Sequence, residues 1–165
     1  MTVKETKLKG CFIIEPKIFE DKRGYFLESY NQKTFNNINF VQDNESFSSK
    51  GVLRGLHYQT GAHAQAKLVR VLKGKVLDVA VDLRKESQTF GQYTAVELSE
   101  ENRKQLFVPR GFAHGFIVLE DDTVFLYKCD NYYDKTSESG IIFNDKALNI
   151  NWNFPEGKRQ KLNNV

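Results

Sequence analysis

The sequence offers little that would cross-link, anchor or strongly charge a protein. Only two of its 165 residues are cysteine. Cys11 and Cys129 stand far apart, in neither a disulfide-framework nor a metal-ligand spacing, so they read as reduced, buried thiols. Long hydrophobic runs are missing too. A stretch such as Cys11-Phe12-Ile13-Ile14 falls far short of the ~18 apolar residues that span a bilayer, which argues against a membrane protein. Residues 1 to 10 carry charge throughout and show no apolar core of a secretory signal, and with the reduced thiols this points to the cytoplasm. Charge of one sign is scarce: 24 Lys and Arg face 21 Asp and Glu, for a net charge of +3. The two signs are interspersed along the chain, so no basic footprint for nucleic acid is visible, while an anionic small ligand remains compatible.

What the sequence has is alternation. From Gly10 to about Phe143, apolar and polar residues alternate in short segments broken by Gly, Asn, Asp and Ser, the pattern of an all-β sandwich or barrel. Strands are predicted at Cys11–Glu15, Tyr25–Tyr30, Asn39–Asn44, Gly51–Gln59, Ala66–Leu72, Lys75–Leu83, Gln92–Leu98, Gln105–Val108, His114–Leu119 and Val124–Cys129. Lys73-Gly74-Lys75 reads as a hairpin turn. Short helical pieces are expected at Asn31–Asn37, at Glu100–Lys104 behind an N-cap at Ser99, and near Lys146–Ile150. No repeat or linker divides the chain, so one domain over residues 1–165 is expected, ending in an irregular tail over 153–165.

The alternation also says what the interior holds. In Lys75–Leu83 the set Leu77, Val79, Val81, Leu83 is wholly apolar, and the opposite set, Val76, Asp78, Ala80, Asp82, is partly so. That strand belongs in the middle of the fold. Lys67 alternates with Val69 and Val71, His114 with Phe116 and Val118, and Tyr127 with Phe125. Burying Lys, Asp, His and Tyr in a dry plug would be costly, whereas a polar-lined pocket accommodates them.

Histidine is the obvious candidate for chemistry, and there are three. His63 lies in a Gly/Ala loop and reads as exposed. His114 reads equally well as a hydrogen-bonded core residue or a functional one. His57 follows Arg54 and Gly55 in an apolar strand, where polar groups beside a flexible glycine suggest a backbone shaped to present them. No His-x-His pair with a following Glu and His is present, so a metal site of three imidazoles and a carboxylate is not expected.

The stretch Gly51-Val52-Leu53-Arg54-Gly55-Leu56-His57-Tyr58-Gln59 closely resembles the signature of the dTDP-4-dehydrorhamnose 3,5-epimerase family. The likeness continues through Phe19-Glu20-Asp21-Lys22-Arg23-Gly24-Tyr25-Phe26-Leu27-Glu28, Phe40-Val41-Gln42-Asp43-Asn44, Lys67-Leu68-Val69-Arg70, Asp78 to Arg84, Pro109 to Phe116 and Phe125-Leu126-Tyr127-Lys128. The resemblance implies a double-stranded β-helix, the cupin jelly roll, forming a homodimer and using no cofactor. It implies inversion of C3 and C5 of dTDP-4-dehydro-6-deoxy-D-glucose, giving dTDP-4-dehydro-L-rhamnose. By position His57 resembles the general base, Tyr127 the acid and Lys67 the group that stabilises the enolate oxygen, while Asp78 and His114 line the active site. Arg23 and Arg54 match diphosphate-binding positions. Phe26, Glu28, Gln42, Asn44 and Tyr133 match positions around the thymidine, with Gln59 also in the substrate site. The family draws Arg23, Phe26 and Glu28 from the partner subunit.

Two departures stand out. Arg110 occupies a position where the family leads one to expect Glu. Family members also carry a C-terminal Ser-x-Lys-Asp-like motif whose Asp pairs with the catalytic histidine, whereas here no Asp follows Asp145 and no acid follows Glu156. Either Glu156 or Asp78 substitutes, or Asn163 or Asn164 orients the ring, or the activity differs. The alternatives to a double epimerase are an enzyme inverting one carbon of a related nucleotide 4-keto sugar, a non-catalytic nucleotide-sugar-binding jelly roll, and, weakest, a metal-dependent cupin.

Overall fold

The structure is a computed structural model, and it describes residues 1–35, 38–155 and 160–161. Its strands are β1 (Thr2–Glu5), β2 (Phe12–Glu15), β3 (Ile18–Asp21), β4 (Gly24–Leu27), β5 (Gln42–Ser48), β6 (Val52–Gln59), β7 (Lys67–Lys73) and β8 (Lys75–Asp82), followed by β9 (Tyr93–Ser99), β10 (Gln105–Val108), β11 (Phe112–Val118), β12 (Thr123–Cys129), β13 (Glu138–Gly140) and β14 (Gln160–Lys161). Two antiparallel sheets face each other. One runs β1-β2-β10-β7-β12-β5 and the other β13-β6-β11-β8-β9, with β3 and β4 forming a separate ribbon. This is the all-β jelly roll that the alternation and the resemblance lead one to expect.

Apolar side chains fill three layers. Val69, Val71, Leu106 and Phe125 of the first sheet meet Val52, Val76, Ala80, Phe116 and Val118 of the second between the sheets. The outer face of the second sheet, carrying Leu53, Leu56, Leu77, Val79, Val81 and Ile117, is covered by Trp152 together with Ile141, Phe143, Leu148 and Ile150. A smaller cluster of Ile14, Phe35, Leu68 and Phe107 lies on the outer face of the first sheet, where Tyr30 and Phe40 pack. Both faces of β8 are therefore buried, as its two apolar sets require. The cysteines are free and buried, and burial pushes the Cys11 thiol up to about 12 and that of Cys129 up to about 11.

Several local expectations change. Lys73-Gly74-Lys75 is not a hairpin turn, because β7 pairs with β10 and β12 while β8 pairs with β11 and β9. It is the corner where the chain leaves one sheet for the other. Gly74 takes a φ of 78° there, and a Cβ on it would collide with Thr123. The helix expected at Glu100–Lys104 is a single turn. Ser99 Oγ does accept from the Asn102 N–H at 3.0 Å, the N-cap bond anticipated, but Arg103 at a φ of 50° ends the turn immediately. Near Lys146–Ile150, Asp145 accepts from the Ala147 and Leu148 N–H groups, and Asn149 at a φ of 44° stops a helix in the same way. Asn31–Asn37 yields a 3-10 turn over Gln32–Phe35, and Asn36 and Asn37 lie outside the described residues. The tail read as irregular contributes Phe154 to the outer layer and a short parallel strand, β14, against Val52 and Leu53. Among the described residues, no helix is long and apolar enough to cross a membrane.

Candidate active site

The space between the sheets is not filled throughout. Toward β5, β6, β7 and β12 it opens into two adjoining cavities of about 280 and 440 Å3, and Asn44, His57, Lys67 and Tyr127 line both. Gln42, Gln59, Tyr133 and Glu138 are among the residues that join them in the first, and Arg54, His114, Phe116 and Phe125 belong to the second.

β6 can present both Arg54 and His57 inward only because its alternation is broken. In an unbroken strand, residues three apart point to opposite faces. Here Val52 faces the inter-sheet core while Leu53 and Leu56 both face the outer layer. The register against β11 slips between His114 and Phe116, opposite Gly55, so that His114 pairs with His57 and Phe116 with Arg54. Such a bulge adds one residue and restores the inward direction on its far side. Gly55 takes a φ of 112°, and a Cβ there would lie 2.6 Å from Gly115 Cα. Only glycine fits both the conformation and the approach.

His57 is half-buried, and burial lowers its pKa by more than the Glu138 carboxylate raises it, with Lys67, His114 and Arg54 also pushing downward. At neutral pH the ring is therefore unprotonated. Burial holds the Lys67 ammonium below its usual value and the Tyr127 phenol above its own. The Lys67 Nζ lies 5.7 Å from the centre of the Tyr127 ring. Imidazole, ammonium and phenol thus come from three strands of two sheets to one space.

Asp78 is fully buried and both of its carboxylate oxygens lie 2.9 Å from His114 Nε2. Asp78, one of the alternatives for the carboxylate beside His57, is thus bonded to His114. Glu156, Asn163 and Asn164, the other residues considered for that role, lie outside the described residues. Among the described residues, the carboxylate that lines the first cavity with His57 is Glu138, on β13, whose Gly140 pairs with His57 across the ladder. Its Oε2 accepts a 2.8 Å hydrogen bond from the Tyr133 hydroxyl.

The polar wall comes from β5, where Gln42, Asn44, Ser46 and Ser48 face inward and the alternate residues face out. Gln42 Nε2 donates to Asn44 Oδ1 at 3.1 Å, and its Oε1 accepts from the Tyr133 N–H at 3.2 Å. Gln59 Oε1 accepts likewise from the Asp134 N–H at 3.1 Å, so both glutamines hold the segment that carries Tyr133. Ser48 Oγ accepts from Nε and Nη2 of Arg54 at 3.2 and 3.1 Å. Glu138, Ser46 and Ser48 were not singled out from sequence. The run Gln42 to Ser48, in which neither face is apolar, is a signal that could have identified a strand facing a cavity.

Arg23, Phe26 and Glu28 are not part of this space. Arg23 and Phe26 sit on the β3–β4 ribbon, where Arg23 bonds Asp21 at 2.6 Å and Phe26 is 69% exposed. Glu28 accepts from Asn31 on the surface. His63 ends a 3-10 turn and is half-buried rather than exposed. Arg110 donates to Asp130 at 2.8 Å. Among the described residues, no group of three or more His, Cys, Asp or Glu side chains is gathered as metal ligands.

Known proteins are similar to this chain in sequence and fold. Residues 5–164 match the family model of dTDP-4-dehydrorhamnose 3,5-epimerase. The enzyme of that name from Shigella flexneri is 54% identical over 157 residues, covering 92% of this chain and 87% of its own. A dTDP-4-dehydrorhamnose 3,5-epimerase crystal structure from Elizabethkingia anophelis NUHP1 superposes with a TM-score of 0.94 at 57% identity, over 98% of this chain and 91% of that one. A dTDP-6-deoxy-D-glucose-3,5-epimerase from Legionella pneumophila Philadelphia 1, solved with dTDP-4-keto-L-rhamnose, gives a TM-score of 0.92 at 48% identity, over 97% and 87% of the two chains. With fold and sequence in agreement, the chain belongs to the dTDP-4-dehydrorhamnose 3,5-epimerase family of isomerases.

Proposed function

We propose that the cavity binds a dTDP-4-keto-6-deoxyhexose and inverts C3 and C5 by moving protons on the carbons beside the keto group. The observation that carries this reading is that His57, Lys67 and Tyr127, from β6, β7 and β12, line the same space. Unprotonated His57 takes the proton from the carbon, and the electron pair passes to the keto oxygen as an enolate. Lys67 meets the developing negative charge where water is largely excluded, so the stabilisation is worth more than it would be in bulk solvent. Inversion needs the new C–H bond to form on the opposite face, which a single base would not favour. Tyr127 keeps its proton at neutral pH because burial raises its pKa, and it supplies that proton, after which solvent resets the pair.

For the nucleotide, Ser48 engages one edge of the Arg54 guanidinium, and the remaining donors suit diphosphate oxygens. Gln42, Asn44 and Tyr133 lie where the thymidine would rest. Arg23, Phe26 and Glu28 lie outside their own cavity, which supports a homodimer in which each ribbon serves the partner's site. An unpaired edge on β5 and the exposed Phe47 beside it favour such an association.

The test is turnover of dTDP-4-keto-6-deoxyglucose in heavy water, followed by NMR. Deuterium is expected at both C3 and C5, and His57→Asn is expected to slow incorporation by about 10²–10⁴-fold. Label at one carbon would restrict the enzyme to that centre. No label with folded protein would overturn the reading.

A further inference from the structure

The β3–β4 ribbon is too small to hold its own shape, since an isolated two-stranded hairpin is marginal in water. Its register pairs Phe19 with Phe26, Glu20 with Tyr25 and Asp21 with Gly24. Directly opposed residues point to the same face and the next pair to the other. One face therefore carries Glu20 and Tyr25, and the opposite face carries Phe19, Phe26 and Asp21, the residue that bonds Arg23.

Arg103 engages the first of these faces. The guanidinium of Arg103 lies 4.0 Å from the centre of the Tyr25 ring, and its Nη1 is 3.2 Å from Glu20 Oε1. It grips both strands of the ribbon at one cross-strand pair. Among the described residues its Nε is buried without a partner, so the group is anchored through the ring and the carboxylate. The backbone beneath it is rigidly set. Asn102 Oδ1 accepts from the Ser99 and Lys104 N–H groups at 3.1 and 3.0 Å, Asn102 Nδ2 donates to Glu97 O at 3.0 Å, and Arg103 N donates to Ser99 O at 2.9 Å. These bonds hold Arg103 at its φ of 50°, a conformation uncommon outside glycine. Gln105 Nε2 adds a second tie, donating to Ser29 O just beyond the ribbon at 2.9 Å.

We infer that Arg103 is a positioning residue for nucleotide binding: by gripping Glu20 and Tyr25 it turns Phe26 and Arg23 outward, fixed and ready for the nucleoside diphosphate held in the partner's cavity. The inference rests on the dimer reading above. Arg103 touches no substrate, and its effect is exerted in trans.

The test uses Arg103→Ala, Arg103→Lys and Tyr25→Leu, the last because Tyr25 is exposed and its replacement leaves the core intact. Arg103→Ala and Tyr25→Leu are expected to raise KM for the sugar nucleotide and Kd for dTDP on the order of tenfold, with kcat little changed. Lysine keeps the charge but not the planar stack, so Arg103→Lys is expected to rescue only in part. Mixed dimers then locate the effect. When a chain carrying both His57→Asn and Arg103→Ala is paired with a wild-type chain, the surviving His57 faces the altered ribbon, and KM is expected to rise. When an Arg103→Ala chain is paired with a His57→Asn chain, the surviving His57 faces an intact ribbon, and KM is expected to be normal. A defect that follows the chain carrying the working His57 overturns the inference, and so does an unchanged KM in a protein that sediments as a dimer. Sedimentation as a monomer at assay concentration overturns the dimer reading and the inference with it.

Discussion

At the scale of single residues, the protonation of His57 reports on its surroundings. Burial depresses its pKa and the Glu138 carboxylate opposes that depression. The acid limb of kcat/KM, where the base is lost to protonation, is therefore expected below the ordinary imidazole value of ~6.5. Removing the opposing charge in Glu138→Gln is expected to move the limb further toward acid and to lower the plateau, since a weaker base abstracts protons more slowly. With only three histidines in the chain, the His57 titration can be followed directly by NMR. A limb that stays in place or moves toward alkaline pH in Glu138→Gln would show that this carboxylate does not act on the base. Lys67 and Tyr127 stand out in the sequence as polar groups on otherwise apolar strand faces and His57 as a polar group beside Gly55, and it is the family resemblance that joins the three into one site. The sequence did not single out Glu138, which sits in a polar stretch where nothing marks one carboxylate from another.

At the scale of elements, the bulge in β6 is the feature on which the site turns. Gly55→Ala would place a methyl group 2.6 Å from Gly115 Cα and 2.7 Å from the His114 carbonyl, both backbone atoms that cannot swing aside. A loss of roughly 3 kcal/mol in urea denaturation is expected, and wild-type stability in this variant would mean that the bulge is not held by the close approach of the two glycines. The strand over Gln105–Val108 was read with its observed bounds, and most others came within a few residues, since period-two patterning is a local property. The helices expected after Ser99 and near Lys146 were not formed. Their caps are present, but capping selects only where a helix starts, and Arg103 and Asn149 in the left-handed region stop each after one turn. β1, β3 and β13 escaped notice because they are short, exposed or polar, as did β14 in the tail read as irregular.

At the scale of the whole molecule, stability depends on a cover that comes from the far end of the chain. Trp152, the only tryptophan, is 1% exposed over the outer face of the second sheet, and its Nε1 donates to Phe143 O at 2.9 Å. Trp152→Ala is expected to cost about 3–5 kcal/mol, read from the urea midpoint by circular dichroism. A loss under about 1 kcal/mol would mean that the segment is an ornament on a sheet that is stable without it. The apolar outward set of β8 requires some such cover, but nothing in the pattern says which segment provides it.

That difference marks the boundary between what the sequence determined and what only the tertiary structure decided. Alternation, turn residues and the family resemblance carried by the block around His57 were enough for an all-β jelly roll with an internal polar space and for several of the side chains that enter it, because side-chain direction in an unbroken strand follows from position alone. The partners those side chains meet depend on long-range register. The pairing of Asp78 with His114, the slip at Gly55 that turns Arg54 and His57 to one side, the passage from sheet to sheet at Gly74 and the distance of Arg23 from its own cavity are all set by which strands lie next to one another. Contacts between residues tens of positions apart leave no local periodicity, and only the folded arrangement of the two sheets brings them together.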